Sequence, residues 1–367
     1  MNRSYYSLGL MSGTSGDGID ASIIESDGEY QYERVLDRYF EYNYEISKKV
    51  HDLKDKIGNN SENLNKFKKE LSILEEKITL SHADAVNKIL KESKKKIDFI
   101  GFHGQTILHS PSSGISKQLG DGKLLSKITK KTVIYNFREN DLTNGGEGAP
   151  LAPIYHKLLA HKYKLSLPLF ILNIGGIANV TNINLRGDIV SKDIGPGNCL
   201  LDEWVRKKIK KKYDNNGKIA NSGNINKMIL NQALEKFFFK GANRSLDVKD
   251  FNGHFVNELS LEDGAATLTE YTSEILQKNF KFFFGTLEGN ILITGGGRKN
   301  NFLLKAIKEK LKIPVKLIDD YGIDGDFVES QAFAYLAIRS YLKLPISFPE
   351  TTGCKKISTG GVLIKNY

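Results

Sequence analysis

The stretch GLMSGTSGDGIDASII (Gly9–Ile24) constrains the fold of this chain more than any other part of its sequence. Its apolar flanks, Leu8–Met11 and Ala21–Ile24, are typical of two β-strands that bound a tight turn. An ordinary hairpin turn needs only a pair such as Asn-Gly, whereas this turn holds three glycines, two hydroxyl residues and two aspartates. Because glycines let backbone N–H groups converge on an anion, the stretch predicts a phosphate-binding turn. A ligand-free hairpin rich in aspartate turns remains the alternative.

The same pattern returns about half a chain later, in LFILNIGGIANVTNI (Leu169–Ile183). There too an apolar strand leads into a glycine-bearing turn with hydroxyl and amide residues, and then into a second strand. Two such units predict two similar halves that face one another.

Further strand-like segments alternate with amphipathic helices and predict an α/β protein. Apolar residues at three- and four-residue steps predict one helix from Leu64 to Ile89 with Ser61 as its N-cap. Two more helices are predicted at Asn301–Leu311 and Ser330–Leu342. The predicted strands are Tyr5–Met11, Ala21–Glu25, Ile97–Phe102, Thr132–Phe137, Leu169–Ile174, Val180–Asn184 and Asn290–Thr294.

Length and charge bound the domain count and the class of partner. A chain of 367 residues exceeds what one hydrophobic core usually serves, so two domains are expected. The net charge of +10 raises the question of nucleic acid. However, the densest basic run, RKKIKKK (Arg206–Lys212), continues an apolar helix face and falls mainly on the solvated side. We therefore expect no nucleic-acid partner and a charge that favours anionic substrates.

Cysteine spacing and hydropathy indicate the class of protein and its expected cellular location. Cys199 and Cys354 lack the CxxC spacing of a zinc site and form no disulfide framework. No apolar run approaches the roughly 18 residues of a membrane-spanning helix, and the first residues lack the pattern of a signal peptide. A soluble cytoplasmic protein without a membrane partner is the expectation.

Three consecutive glycines follow a strand in ITGGGRKN (Ile293–Asn300). The sequence has no GxxxxGK[ST] pattern, and Asn300 stands where a dinucleotide fingerprint would need its third glycine. A strand, three glycines and a helix still favour close approach of the backbone to a nucleotide. The alternative is a tight strand-to-helix turn, which would need one glycine.

A carboxylate in a fixed position stands out in SKDIGPGNCLLDEW (Ser191–Trp204). Asp193 follows a strand-like segment and precedes a rigid Gly-Pro-Gly turn, as the position of a general base requires. A turn-forming or helix-capping aspartate is the alternative.

Other polar residues are weaker candidates by themselves. GFHGQTILH carries His103 and His109 without the spacing of a metal site. In NFRENDLTNGGEGAPLAP, Arg138 has the geometry to pair with a substrate carboxylate, although a surface ion pair is the alternative. Glu329 begins an apolar helix, where stabilisation by the helix dipole is the simpler interpretation.

Taken in order, these motifs resemble the anhydro-N-acetylmuramic acid kinase family, the sugar kinases of peptidoglycan recycling. The resemblance covers Leu8 to about Leu342 and, with TGG near the C-terminus, essentially the whole chain. It is carried by GLMSGTSGDGID, GFHGQT, FRENDLTNGGEGAPLAP, NIGGIANVT, DIGPGN, SLDVKDF, EDGAATLT, ITGGGRKN and FVESQAFAYLA.

The resemblance implies a fold and a domain organisation. The implied fold is α/β: a two-lobed, actin-like ATPase with duplicated ribonuclease-H-like domains and a central cleft. The N-terminal lobe would comprise residues 1–130, completed by 343–367, and the C-terminal lobe residues 131–342. Members of the family often form homodimers, so a homodimer is a further expectation.

The resemblance also implies an activity that uses ATP and Mg²⁺: opening of the 1,6-anhydro ring of the sugar coupled to phosphorylation of its O6. Asp193 matches the catalytic aspartate, and Asp17 would hold Mg²⁺ directly or through its water shell. Implied sugar contacts are Glu329, His103, Arg138 and Asp141. Implied ATP-binding residues are Gly13, Thr14, Ser15, Gly16, Asp17, Gly18, Ile19 and Asp20 in the first turn, Gly175, Gly176 and Asn179 in the second, and Gly295, Gly296 and Gly297.

Three positions depart from the pattern of the family. Gly16 stands where leucine is usual, Asn136 where aspartate often precedes Phe-Arg, and Glu147 where glutamine is common. Gly16 is expected to loosen the turn without removing an N–H donor, and Asn136 removes a charge near the expected cleft. A related hexose or amino-sugar kinase, or a nucleotide-binding regulatory module, remain alternative functions.

Overall fold

The structure is a computed structural model that describes residues 3–13, 15–58, 60–237, 245–285 and 288–365. The chain divides into two compact units. Unit 1 comprises Met1–Lys164 and Phe327–Tyr367, and unit 2 comprises Leu165–Asp326. Each unit is built around one β-sheet.

The strands and helices of the described residues, in chain order, are as follows. The strands are β1 (Tyr5–Ser12), β2 (Gly18–Ser26), β3 (Tyr32–Glu41), β4 (Phe99–Ser110), β5 (Ile115–Leu119), β6 (Thr132–Tyr135), β7 (Leu169–Ile174), β8 (Ile177–Ile183), β9 (Ile189–Pro196), β10 (Asn290–Thr294), β11 (Val315–Leu317) and β12 (Val362–Ile364). The helices are α1 (Tyr44–Ile57), α2 (Glu62–Lys66), α3 (Lys68–Ser93), α4 (Gly122–Thr129), α5 (Glu139–Thr143), α6 (Pro153–Lys162), α7 (Cys199–Ile209), α8 (Lys218–Asn221), α9 (Lys227–Glu235), α10 (Leu261–Phe284), α11 (Asn301–Leu311), α12 (Val328–Tyr341) and α13 (Pro349–Thr352).

The two sheets share one topology. The sheet of unit 1 has the order β3-β2-β1-β4-β6, extended by β12 beyond β6 and by β5, which pairs with β4. The sheet of unit 2 has the order β9-β8-β7-β10-β11. In both units the first three strands are antiparallel neighbours and the last three are parallel neighbours. This repeat confirms the predicted α/β class and the predicted duplication.

The compact units do not divide where the sequence places the lobes, at 130/131 and 342/343. Strand β6 lies beyond the first predicted boundary, yet it pairs with β4 and so belongs to the sheet of unit 1. Helix α12 lies before the second, yet it packs on β1, β2 and β4. Glycine in β1 permits this close approach, because a Cβ on Gly9 would lie 1.9 Å from the Ser330 carbonyl oxygen. The divisions therefore fall at 164/165 and 326/327.

The helix predicted from Leu64 to Ile89 is two helices, α2 and α3, that meet at Phe67. Phe67 has φ −103° and ψ 20°, which interrupts the helical backbone while the apolar spacing continues across the break. Because the spacing is unbroken, periodicity does not detect the interruption. Ser61 occupies the N-cap position of α2 as predicted, but its backbone is helical and its side chain makes no capping hydrogen bond.

Each unit has its own apolar core. In unit 1, β1 and β2 contribute Leu8, Leu10 and Ile23, which pack with residues of α1 and α3. In unit 2, β7 and β10 pack with α10 and α11. The helix predicted at Asn301–Leu311 is confirmed as α11, and Asn300 caps it by accepting a hydrogen bond from the Leu303 N–H. These cores fix the strand ends from which the candidate residues project.

Candidate active site

The turn between β1 and β2 is closed by one internal hydrogen bond. The Gly16 N–H donates to the Gly13 carbonyl oxygen over 3.1 Å. Gly16 has φ +64°, and a Cβ there would lie 2.8 Å from Val50 Cγ1. Glycine thus satisfies both the left-handed backbone and the contact with α1. The turn therefore has a defined geometry at Gly16, and the expected loosening of the turn stays a prediction.

The predicted residues of this first turn have different surroundings. Ser15 is exposed, and Asp17 is half-buried. Gly18, Ile19 and Asp20 already belong to β2, where they pair with β3. The Ile19 side chain lies in the core, so this residue can offer a ligand only its backbone. Thr14 lies outside the described residues.

Two neighbours hold the first turn from outside. The Gln105 Nε2 donates to the Gly13 carbonyl oxygen over 2.9 Å, and the Tyr42 N–H donates to the Asp17 carbonyl oxygen over 2.9 Å. Gln105 is fully buried in β4, and Tyr42 directly follows β3. Neither residue is among the predicted site residues. The polar Gln105 within an apolar strand is the signal by which it could have been found.

In unit 2 the turn between β7 and β8 is joined to the segment after β9. The Gly197 N–H donates to the Gly176 carbonyl oxygen over 2.9 Å, and the Asn198 N–H donates to the Gly175 carbonyl oxygen over 2.8 Å. The DIGPGN motif and the second glycine turn are therefore one structure. Because α7 begins at Cys199, this structure also leads directly into the first turn of a helix.

Asp193 lies on β9 directly opposite Asn179 on β8. Residues paired across antiparallel strands project from the same face of the sheet. The Asp193 Oδ2 accepts a hydrogen bond from the Leu246 N–H over 2.8 Å. The side chain is half-buried, so it is held in place and still reached by solvent. The structure thus brings the predicted base together with the second predicted phosphate turn and the SLDVKDF motif.

The three glycines after β10 serve different purposes. Gly295 has φ +79°, and a Cβ there would lie 2.3 Å from Asn173 Oδ1. A Cβ on Gly297 would lie 2.3 Å from Ile174 Cγ2. A Cβ on Gly296 would meet only the Asn198 Nδ2, at 3.9 Å, among the described residues. Gly295 and Gly297 therefore fit against β7, and Gly296 is the one with room beside it.

A buried arginine anchors this glycine turn. Arg298 is 5% exposed and forms ion pairs with Asp319 at 2.8 Å and Asp326 at 2.7 Å. Its N–H donates to the Gly295 carbonyl oxygen over 3.2 Å. Burial opposes the charge of Arg298, but the hydrogen bonds that it donates to the aspartates outweigh burial and raise the pKa of the guanidinium. Burial acts to raise the pKa of Asp326, but the hydrogen bonds that its carboxylate accepts from Arg298 and Lys299 outweigh burial and lower the pKa.

In unit 1 a second polar group joins β4 to the start of α5. The His103 Nδ1 lies 2.8 Å from the Gly104 carbonyl oxygen, and its Nε2 accepts from Arg138 Nη2 over 2.9 Å. Because a guanidinium only donates, the ring proton is on Nδ1. Burial, and next the charge of Arg138, lower the pKa of His103 well below its usual value. His103 is therefore a neutral support for Arg138.

Arg138 and Glu329 carry the charges of this group. Arg138 also donates from Nη1 to the Gly148 carbonyl oxygen over 2.7 Å. Burial lowers its pKa to about 10, while the charges of Glu329 and Asp141 oppose that shift. Desolvation raises the pKa of the Glu329 carboxyl, and Arg138 opposes it. The Glu329 side chain remains reachable by solvent, so a ligand can approach it.

Asp141, predicted as a sugar contact, lies entirely inside the protein. Its Oδ2 accepts from the Gly148 N–H over 2.6 Å, and its Oδ1 accepts from Thr352 Oγ1 over 2.6 Å. One carboxylate oxygen therefore holds the loop that carries Gly148, which in turn accepts from Arg138, and the other binds Thr352 of α13. The structure gives Asp141 a supporting place rather than contact with a substrate. These internal hydrogen bonds join residues that lie up to 211 positions apart, so they are visible only in three dimensions.

Asn136, the departure from the family pattern, has φ +56°. Asparagine is among the residues that tolerate this left-handed backbone. Its Nδ2 donates to Glu139 Oε2, so the side chain is used locally at the start of α5. Asn136 therefore has a local conformational role, and the loss of a charge near the expected cleft stays a prediction.

The part of the chain that the structure describes has neither a cluster of metal-ligating side chains nor a membrane-spanning helix. It contains no group of three or more His, Cys, Asp or Glu residues arranged to hold a metal ion. The Mg²⁺ of a nucleotide complex usually uses one or two carboxylates together with phosphate oxygens, so the half-buried Asp17 fits that use. No helix among the same residues is long and apolar enough to cross a membrane.

Comparison with known proteins agrees with these motifs. The family model described as anhydro-N-acetylmuramic acid kinase matches residues 5–366. A relative of that name from Pelagibacter ubique is 52% identical over the full length of both chains. Another from Zymomonas mobilis is 40% identical and covers 96% of this chain and 98% of its own. Among solved structures, component A of (R)-2-hydroxyglutaryl-CoA dehydratase from Acidaminococcus fermentans is similar at 13% identity and a TM-score of 0.48, covering 92% of this chain and 100% of its own. By the match over nearly its whole length, this chain belongs to the anhydro-N-acetylmuramic acid kinase family.

Proposed function

We propose that this chain converts 1,6-anhydro-N-acetylmuramic acid, ATP and water into N-acetylmuramic acid 6-phosphate and ADP. Water attacks C1 of the sugar, and the bond between C1 and O6 breaks. The released O6 attacks the γ-phosphorus of ATP, and the bond from that phosphorus to the bridging oxygen of ADP breaks. The proton of the attacking water passes to a carboxylate. The observation that carries the proposal is the family match over residues 5–366.

Asp193 is the proposed base. A general base must be held within hydrogen-bond reach of its proton, and its carboxylate must remain accessible. The hydrogen bond from the Leu246 N–H to Oδ2 fixes the carboxylate, and the half-buried position leaves it open to solvent. The glycine turn at Gly175 and Gly176, whose backbone is proposed to bind phosphate, leads into β8, which pairs with the strand of Asp193.

The nucleotide is proposed to use three glycine turns. The turn Gly13–Asp17 of unit 1 and, separately, the turn Gly175–Gly176 of unit 2 are each proposed to offer backbone N–H groups to phosphate. Gly296, which has open space beside it, would lie against the adenosine portion. In such phosphoryl transfer, catalysis rests on positioning and on neutralising phosphate charge. Mg²⁺ bound beside Asp17 would supply part of that neutralisation.

Glu329 and Arg138 are the proposed sugar contacts. Arg138 uses three of its five N–H donors on His103 and Gly148, so donors remain for an anionic group such as the lactyl carboxylate of the substrate. Glu329 can accept hydrogen bonds from sugar hydroxyls. His103 and Asp141 then act through Arg138 and Gly148 rather than on the sugar itself.

The cellular location and the oligomeric state are part of the same proposal. Peptidoglycan fragments and ATP meet in the cytoplasm, which is the proposed location. A homodimer is proposed as the assembly, because the family often forms one. Sedimentation of the purified chain tests this assignment.

The test of the proposed function is a product assay. Purified protein with ATP, Mg²⁺ and 1,6-anhydro-N-acetylmuramic acid is expected to release ADP and one sugar 6-phosphate, identified by mass spectrometry. Glucose and N-acetylglucosamine are offered in parallel. Faster phosphorylation of either would identify the chain as an ordinary hexose or amino-sugar kinase. Release of ADP that no sugar stimulates would favour the regulatory module.

A further inference from the structure

A chain of hydrogen bonds begins at the residue that precedes the first turn. The Ser12 Oγ lies 2.8 Å from the Tyr42 hydroxyl and 3.1 Å from His82 Nε2. The His82 Nδ1 lies 2.8 Å from the Ile78 carbonyl oxygen. Because a carbonyl only accepts, Nδ1 carries the proton and Nε2 accepts from Ser12. The Ser12 hydroxyl is then left to accept from the Tyr42 hydroxyl.

This chain of hydrogen bonds is buried throughout. Ser12, Tyr42 and His82 are 1%, 5% and 0% exposed. Burial lowers the pKa of His82 to about 4, so the ring is neutral near pH 7 and keeps its acceptor. The His82 ring also packs on Phe102, with centroids 4.8 Å apart. A fully satisfied buried network of this kind holds its members in one geometry.

Tyr42 contacts both ends of the first turn. Its hydroxyl donates to Ser12 before Gly13, and its backbone N–H donates to the Asp17 carbonyl oxygen over 2.9 Å. Glycine-rich backbone loses more conformational freedom on ordering than other backbone does. A turn that must present its N–H groups to a phosphate therefore gains from being held before the ligand arrives.

We propose that Tyr42 and His82 are positioning residues for nucleotide binding, acting through Ser12 on the turn Gly13–Asp17. The proposal rests on the proposed function, in which this turn binds the phosphates of ATP. Neither residue touches the nucleotide. Their effect is on the affinity for ATP and not on the affinity for the sugar.

The experiment compares Tyr42→Phe with the wild type. The substitution removes the hydroxyl and keeps both the ring and the backbone N–H that bonds Asp17. KM for ATP, and the dissociation constant of a non-hydrolysable ATP analogue, are expected to rise about fivefold, the effect of one hydrogen bond of ordinary net strength. KM for the anhydro sugar is expected to stay within about twofold of the wild type.

Tyr32→Phe is the matched control. Tyr32 is a buried tyrosine of the same unit whose hydroxyl donates to Gln331 over 2.9 Å, away from the first turn. It is expected to lower the melting temperature as Tyr42→Phe does and to leave KM for ATP unchanged. Ser12→Ala removes both contacts at once. Adding Tyr42→Phe to Ser12→Ala is expected to change KM for ATP by less than about twofold, because coupled contacts are not additive.

Two outcomes would overturn the proposal. One is a KM for ATP in Tyr42→Phe within about twofold of the wild type despite a lower melting temperature. The other is an equal rise in the KM values for ATP and sugar. Gly13→Ala distinguishes failure of the positioning role from failure of the proposed function. Among the described residues, its Cβ would meet only Ser15 Oγ, at 3.9 Å, so the substitution itself fits the turn. If Gly13→Ala leaves ATP binding unchanged, the turn does not bind ATP. If it weakens binding and Tyr42→Phe does not, only the positioning role fails.

Discussion

Replacing Asp193 by asparagine separates the chemistry of this carboxylate from its structural contact. The Leu246 N–H donates to Oδ2 over 2.8 Å, and the asparagine carbonyl oxygen can accept the same hydrogen bond. The amide, however, cannot take a proton from water at neutral pH. We expect kcat to fall by a factor on the order of 10² or more, which corresponds to a barrier higher by about 2.7 kcal/mol. KM for ATP and the melting temperature are expected to change little.

Asp193→Ala provides the comparison. It removes the base and also leaves the Leu246 N–H without its acceptor, at a cost of about 1–3 kcal/mol for a buried donor. For a chain of this length, about 1 kcal/mol shifts the melting temperature by roughly 2–4 °C at most. Coupled ADP release gives kcat, and calorimetry gives the melting temperature. The reasoning is refuted if Asp193→Asn keeps activity within about tenfold of the wild type, or loses stability as Asp193→Ala does.

Three further predictions concern residues around the site. Gly296→Ala is expected to raise KM for ATP at an unchanged melting temperature. Gly297→Ala, whose Cβ collides with β7, is expected to lose about 1–3 kcal/mol of stability. Equal melting temperatures of the two variants would contradict this difference. Asp141→Ala is expected to cost about 2–4 kcal/mol in urea unfolding, because two buried donors lose their acceptor; a full loss of activity at unchanged stability would instead indicate substrate contact. Arg298 lowers the pKa of Asp326, so Asp326→Asn is expected to lower the free energy of unfolding most at pH 7. The difference from the wild type is expected to shrink as the pH falls below 3.8, the ordinary pKa of aspartate. A difference that grows in acid would contradict the assigned ion pair.

Much of the fold follows from local patterns in the sequence. The strand–turn–strand units at Gly9–Ile24 and Leu169–Ile183 correspond to β1–β2 and β7–β8, because apolar strands and glycine turns are encoded locally. The lobe boundaries are not local. The first boundary depends on the pairing of β6 with β4. The second depends on the packing of α12 on β1 and β2, which lie more than three hundred residues earlier in the chain. Pairing partners at such separations leave no periodic signal.

The same distinction applies to the candidate site. The glycine turns and Asp193 carry motifs that can be recognised in the sequence. The supporting residues do not: Tyr42, directly after β3, and His82, on α3, reach the first turn with no motif around them. Asp141 stands within a motif, yet its hydrogen bonds to Gly148 and Thr352 show that it supports the loop. Which residue of a motif faces the ligand depends on tertiary packing, and the spacing of residues in the sequence does not predict that packing.

Isotope labelling tests the central claim most directly. The reaction is run in water enriched in oxygen-18 with ATP, Mg²⁺ and 1,6-anhydro-N-acetylmuramic acid, and the product is analysed by mass spectrometry at early time points. We expect one oxygen-18 atom at C1 of the sugar 6-phosphate and none in its phosphate group, because water opens the ring and O6 receives the phosphoryl group. Unlabelled C1, or label in released inorganic phosphate without a sugar phosphate, would contradict it.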